Sequence, residues 1–439
     1  MYSYYLRLAI HSLRKNPVLT ALMIGAIAIG IGVSMTTLTV HHIMSSNPIP
    51  QKSDDLHLVR LDSWNPAEPY DDDQPEEGPW QLTFTDMMAL RESDIPTRQT
   101  AMMKATYVVQ PDRTEVNPFQ EEIRMTDGDF FEMFDVPFIY GTAWSKLADE
   151  TGEFVVILGR EMNEKLFGGE NSIGRELKLD DHIFTVVGVI DDWDPAPKYY
   201  DVNNGAFDAS EQLFMPLVLV PQLEKYSSGN TNCWKDEKVD DYQGFLNSEC
   251  VWFQFWAELT SADEKDRYQT FLDGYAMSQK ELGRFGRPLH NQLTPVMDWL
   301  HNVAQVVRND NKALVGLSFM FLIVCLVNTI GMLLAKFLGK APQIGIRRAL
   351  GASKLAVFQQ QLAEVSVIGF AGGLIGLGLA RLGLSGAAYL YEAPEHLIYL
   401  DINMMITAVV IAVVASILAG LYPAWQVCRM PPAQYLKTQ

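Results

Sequence analysis

The sequence predicts an α-helical membrane protein with four transmembrane helices and a mixed α+β extracytoplasmic domain inserted between the first and second. Three observations predict it. Mean hydropathy is close to neutral while the 439 residues carry a formal net charge of −19, so apolar and charged residues are segregated. Apolar stretches near 18–41, 313–336, 364–390 and 403–425 are each long enough to cross a hydrocarbon core of about 30 Å, which takes roughly 20 helical residues. The segment before Pro17, the loop from Lys336 to Ala356 and the tail after Trp425 contain Lys and Arg but no Asp or Glu. Positive flanks of this kind face the cytoplasm, which puts both termini inside and residues 42–311 outside.

Residues 1–16 read as an amphipathic helix on the inner leaflet: Leu6, Ala9, Ile10 and Leu13 share one face, and Ser3, Arg7, His11 and Arg14 another. Asn16-Pro17 breaks it where the chain enters the membrane. The apolar run that follows is too long for a secretory signal and no small-x-small cleavage site follows it before His41-His42, so it reads as an uncleaved span. Ala21, Gly25, Ala28 and Gly32 in this span share a spacing with Gly369, Gly373, Gly376 and Ala380 in the third span. Ala408, Ala412, Ala415 and Ala419 repeat it in the fourth. Steps of four, three and four place each set on one helix face, where small residues let helices approach closely in lipid.

In the outer domain, Glu153 to Leu158 reads as a strand and Arg160 to Phe167 as a helix stopped by Gly168-Gly169. A hairpin follows, Glu176 to Leu179 and Phe184 to Ile190, turning at Asp180-Asp181. Residues of about 191–250, rich in Asp, Asn, Gly and Tyr, read as an inserted loop-rich subdomain, leaving a core of about 42–190 and 251–311. Val251 to Leu259 resumes as a strand and Ala262 to about Leu282 as a helix. Cys233 and Cys250 both lie on the oxidising side and form a possible disulfide, whereas Cys325 falls in the second span and Cys428 in the inner tail.

Charge and motif content exclude several functions. Acidic runs such as Asp71-Asp72-Asp73 and Asp191-Asp192-Trp193-Asp194 would repel a nucleic acid and read as a solvated face. No G-x-x-x-x-G-K-[ST] loop occurs, so these residues do not cradle ATP phosphates. HExxH, paired CxxC and GxSxG are also missing, and His41-His42 reads as interfacial. No catalytic, cofactor-binding or metal-ligating residues are therefore assigned. Arg381 is the one basic residue inside a span, placed in the outer half of the third helix where it can snorkel outward, and Glu364 at the inner edge of that helix reads as interfacial.

The inner loop, 337–356, is the most informative segment. Pro342 suits a first helical turn and Gly351 a helix end, so 342–350 reads as a short helix, with Ser353 able to cap the next. Ile346, Ala349 and Leu350 form an apolar patch beside Arg347 and Arg348, a combination suited to docking in a partner's groove.

Gln343-Ile344-Gly345-Ile346-Arg347-Arg348-Ala349-Leu350-Gly351-Ala352-Ser353 resembles the signature loop of MacB/FtsX/LolC-type permeases, the type VII ABC transporters. Met125 to Phe134, Val155 to Leu158, Leu166 to Gly169, Ile173-Gly174 and Phe184 to Val189 resemble the family's periplasmic core domain. Tyr422 to Trp425 with Pro431 to Leu436 resembles its closing motif. The resemblance implies that residues 343–351 form a coupling helix against a separate ABC ATPase, two copies per complex, which binds ATP and Mg. It implies a paired second permease, mechanotransmission to the periplasmic domains, and a place in the bacterial inner membrane. The large outer domain is more similar to the MacB efflux type, with a peptide or small hydrophobic compound as cargo and a membrane-fusion protein and outer-membrane channel as further partners. Lipoprotein extraction and cell-wall-hydrolase regulation are the alternatives within the family, and a membrane sensory receptor the alternative outside it. One departure is Gln343, where the family carries an acidic residue, which leaves a heterodimer open beside a homodimer.

Overall fold

The computed structural model describes residues 8, 12, 13, 15–112, 116–203, 205, 207–306, 309–390 and 402–429, with backbone alone for 309–311. The rest of the expected amphipathic segment 1–16, nearly all of residues 391–402, expected from the sequence to form a short outer loop, and the closing Pro431 to Leu436 lie outside the described residues. The chain divides into two compact units, Ser46–Val306 and the combination of Met1–Ser45 with Val307–Gln439. Helix α1, Pro17–Ser45, opens the second of these. It starts where Pro17, which has no N–H to lose, occupies the first turn.

Ten strands build the unit Ser46–Val306: β1 Leu56–Arg60, β2 Arg98–Gln110, β3 Phe119–Thr126, β4 Phe138–Gly141, β5 Val155–Leu158, β6 Glu176–Leu179, β7 His182–Ile190, β8 Leu213–Pro216, β9 Gln254–Glu258 and β10 Gln292–Pro295. They form one sheet in the order β10-β1-β9-β2-β3-β8-β5-β7-β4. Strand β6 pairs with both β2 and β7, so β2, β3, β8, β5, β7 and β6 close into a ring of pairings that leaves none of them an open edge. All neighbours are antiparallel except β3 with β8 and β5 with β7.

Alternation along β2 shows how the core is divided. Ala101, Met103, Ala105, Tyr107 and Val109 point into one cluster, which also takes Met87 and Leu90 of α2 (Phe84–Arg91), Met162 and Leu166 of α3 (Arg160–Phe167), and Tyr268, Leu272 and Ala276 of α4 (Ala262–Glu281). Each helix has a local cause. The Thr83 hydroxyl accepts from the Asp86 N–H at 3.1 Å and the Ser261 hydroxyl from the Glu264 N–H at 3.2 Å, while Gly168 at φ 75° ends α3. Met102 and the aromatic residues of Met125–Phe134 face the opposite cluster, where Phe130 and Phe134 lie 4.9 Å apart against Tyr200 and Trp256.

The loop-rich span 191–250 is not a separate subdomain. Strand β8 lies between β3 and β5, and Tyr199, Tyr200, Asp201, Glu211 and Phe214 are buried. A charge network holds the span there. Arg124 on β3 pairs with Asp201 and, at 2.6 Å, with Glu211; Lys198 reaches Glu211 at 2.8 Å; Gln254 on β9 donates to Asp201 at 2.7 Å. Burial alone would raise both carboxyls, but the Arg124 guanidinium beside them holds both below the ordinary carboxylate range. A Cys233–Cys250 disulfide closes the far part of the span, next to an antiparallel bridge between Asn232 and Val251.

The bundle is completed by α5 Asn309–Gly339, α6 Ala341–Ala349, α7 Lys354–Leu390 and α8 Ile402–Arg429. Helices α1, α5, α7 and α8 are long and apolar enough to cross a membrane. The third span was expected to begin near 364, but α7 begins ten residues earlier. The Ser353 hydroxyl accepts from the Ala356 N–H at 3.1 Å, and 37 residues then run without a break, about 55 Å at 1.5 Å per residue.

Helix α1 packs against α5 and α7, and α7 also against α8. Two glycine faces on α7 make this possible. A Cβ at Gly376 would sit 2.9 Å from the Ile31 side chain and 3.1 Å from the Ala28 carbonyl of α1, and one at Gly372 would sit 2.7 Å from Ile27. A Cβ at Gly369 or Gly373 would strike α8, at 2.7 Å from Ser416 or 2.9 Å from Ala412. Gly32 lies against Leu379 and Ala380.

Two members of the expected α1 face do not join it: Gly25 has open space around it and Ala21 is exposed, while Gly30 makes the close contact with Leu322 and Cys325 of α5. The helix packs mainly between two others, α5 and α7, so its contact residues wind around it instead of keeping to one stripe. On α8, Ala408, Ala412 and Ala419 are buried and Ala415 is half-buried. Polar bonds reinforce the seams: Ser34 donates to the Ser318 carbonyl at 3.0 Å, Thr37 to the Ser318 hydroxyl at 2.8 Å and Thr36 to the Ala380 carbonyl at 3.3 Å. Arg381 is exposed.

Two expected outcomes follow from this packing. Arg124→Met, which strips the main counter-charge from two buried carboxylates, lowers the unfolding free energy of Ser46–Val306 by about 3–5 kcal/mol in denaturant titration. Gly376→Leu lowers the melting temperature of the detergent-solubilised protein through overpacking of about 1–3 kcal/mol or more, whereas Gly378→Leu, in open space two residues on, leaves it unchanged.

Candidate functional site

Helix α6 is separated from α5 by one residue, Lys340, whose backbone remains helical at φ −94° and ψ −2°. Pro342 lies in its first turn and Gly351 follows it at φ 101°, a conformation that a Cβ disfavours, so this short stretch starts and stops on local chemistry. Its last turn carries Arg347 and Arg348, favourably placed at the negative end of the helix dipole.

The helix has two faces. Ala341, Ile344 and Gly345 are buried, and Ile344 joins the core of the bundle with Phe337, Val357 and Val427. Arg348 is half-buried and donates to the Cys428 carbonyl of α8 at 3.1 Å. Gln343, Ile346, Arg347, Ala349, Leu350 and Gly351 lie on the exposed side. Ile346 is 53% exposed and Leu350 83%, so two large apolar side chains stand in the open beside a guanidinium, Arg347, that is bonded only to Gln360 among the described residues. That arrangement supplies an apolar anchor and a positive charge to a partner surface.

An unforeseen charge cluster stands at the root of this helix. The Glu364 side chain is 1% exposed and pairs with Lys336 of α5 at 2.7 Å and with Lys340 at 2.9 Å. Lys336 also donates to the Thr20 hydroxyl of α1 at 3.2 Å, and Ser12 donates to Glu364 at 2.8 Å. Burial pushes the Lys340 ammonium below the ordinary lysine range, against the pull of the Glu364 charge. A carboxylate flanked by apolar residues, with two lysines four apart in the preceding loop, was the available signal. It did not say that these groups meet.

The other residues singled out from the sequence are dispersed: the disulfide is in the α/β unit, and the small residues and Arg381 are along the bundle. Among the described residues no group of His, Cys, Asp and Glu could hold a metal ion.

Comparison with known proteins places both parts of the chain. Residues 20–266 match the MacB-like periplasmic core domain and residues 315–432 the FtsX-like permease C-terminal region. The macrolide export ATP-binding/permease protein MacB of Syntrophobacter fumaroxidans is 23% identical over 339 residues, covering 70% of this chain and 46% of that protein. The MacB of Marinobacter nauticus is 23% identical over 442 residues, 99% of this chain and 60% of its own. The pyoverdine export ATP-binding/permease protein PvdT of Pseudomonas fluorescens is 23% identical over 314 residues, 71% of this chain and 42% of its own. The chain thus spans about half the length of the curated relatives it matches. With more than half its residues matched by the first of these models and its last three candidate spans by the second, the chain is a membrane protein of the MacB/FtsX permease family.

Proposed function

We propose that this chain is the transmembrane subunit of an ABC-type exporter and that α6 is where an ATPase docks. The observation that carries the reading is the two-faced geometry of α6, fixed to the bundle through Ile344 and Arg348 while Ile346 and Leu350 remain open. The 439 residues contain no phosphate-cradling loop, so ATP and Mg are bound by a protein segment other than these residues. The relatives' names combine ATP binding with permease function, which supports an ATPase as the partner.

In this reading the basic inner flanks face the cytoplasm of a bacterium, both termini lie inside, and Ser46–Val306 is periplasmic. ATP-driven closure of two ATPases pushes on two copies of α6, and the helices carry that displacement to the periplasmic units. The cargo class is a peptide or small hydrophobic compound moved outward, with a membrane-fusion protein and an outer-membrane channel completing the path. Gln343, exposed on α6, supports pairing with a second, different permease as readily as with an identical one.

Co-purification tests the partner: an ATP-binding cassette protein recovered with the tagged chain supports the reading, and a histidine kinase in its place overturns it. Ile346→Asp and Leu350→Asp each place a carboxylate on the exposed apolar face. The expected result is at least about tenfold less co-purified ATPase, the equivalent of losing roughly 1.4 kcal/mol of binding, with the variant chain still in the membrane fraction.

A further inference from the structure

The junction between α5 and α6 has the composition of a hinge. Gly339 ends α5 with open space where a Cβ would be, and Lys340 follows without making a side-chain cap. A push on α6 at such a junction would bend the chain there. The side chains oppose this.

Lys336 alone neutralises Glu364: the two are both fully buried, 2.7 Å apart, and already join α5 to α7. Lys340 adds a second positive charge that charge balance does not require. It contacts both Glu364 oxygens at 2.9 Å and also bonds the Ser12 hydroxyl. Burying this ammonium costs solvation, and an apolar side chain would fill the space without that cost. What the apolar side chain would lack is direction, since a charge held on a carboxylate fixes the position of the backbone that bears it. Through Glu364, Lys336 and Thr20, that position is tied at once to α7, α5 and α1.

We propose that Lys340 is a positioning residue that locks α6 to the bundle through Glu364, so that α6 moves with α1, α5 and α7 as one body. The proposal rests on the reading of α6 as the docking helix for its meaning, but not for its test, which needs no ATPase.

The test uses the full chain in lipid nanodiscs, with Cys325 and Cys428 replaced by Ala and the Cys233–Cys250 disulfide left oxidised. Spin labels on Ile346→Cys of α6 and Leu374→Cys of α7, both exposed positions, report the distance between helix and bundle, with labelled chains diluted to suppress pairs between copies. Lys340→Met leaves the Lys336–Glu364 pair intact, so the bundle keeps its charge balance. The expected result is an α6–α7 distance distribution about twofold broader in Lys340→Met, restored to the original width in Lys340→Arg. A control pair on Val18→Cys and Leu374→Cys, between α1 and α7, is expected to stay unchanged. Glu364→Gln is expected to broaden both pairs. An α6–α7 width in Lys340→Met equal to that of the unmodified protein overturns the proposal, as does equal broadening of the control pair, which would mean general loosening. Failure of Ile346→Asp to release the ATPase would overturn the docking reading and leave this measurement untouched.

Discussion

A carboxylate inside an apolar bundle must find its counter-charge in the protein, because no water is there to solvate it, and the lower end of this bundle is organised by that requirement. Glu364 draws in Lys336 from α5 and Lys340 from the root of α6, and Lys336 in turn reaches Thr20 on α1. Three long apolar helices and the root of α6 therefore share one electrostatic node. The node works only because the helices are already close, and closeness is the work of glycine. Gly372 and Gly376 admit Ile27 and Ile31 of α1, while Gly369 and Gly373 admit α8.

The same physical demand recurs in the α/β unit under different solvent conditions. Arg124 is buried on β3 and is compensated by Asp201 and Glu211, both from a span whose composition is that of a surface loop. Packing aromatic residues around those charges raises the cost of separating them, since the attraction strengthens as water is excluded. The ring of strands completed by β6 gives the network a closed frame, and β8, four residues long, is held in it by pairing on both sides.

Both units bear on the proposed function in the same way. A lever transmits displacement only as far as it is stiff, and stiffness here comes from helices that run unbroken, glycine seams that exclude slack, and charges that fix orientation. Helix α7, 37 residues without interruption, begins directly after α6 and its capping Ser353, so it belongs both to the loop that carries α6 and to the bundle core. In the proposed function the exposed Ile346 and Leu350 are the part left for the ATPase to cover.

The sequence by itself determined what depends on neighbours along the chain. Four spans, the strand-helix-hairpin from Val155 to Ile190, and the short helix between Pro342 and Gly351 were all legible, because hydrophobic period, proline at a helix start and glycine at its end act locally. The exposed apolar face of that helix was legible too, from the spacing of Ile346, Ala349 and Leu350. The tertiary structure alone decided which groups meet across long separations. Residues 191–250 looked like an insertion because their buried charges, Asp201 and Glu211, are indistinguishable in composition from solvated ones until Arg124 is brought to them. Gly25 and Gly30 differ only in which helix passes nearby. The partners of Glu364 were hidden for the same reason: its position in the chain is local information, but the lysine 28 residues earlier and the threonine on the first helix become its surroundings only when the helices pack.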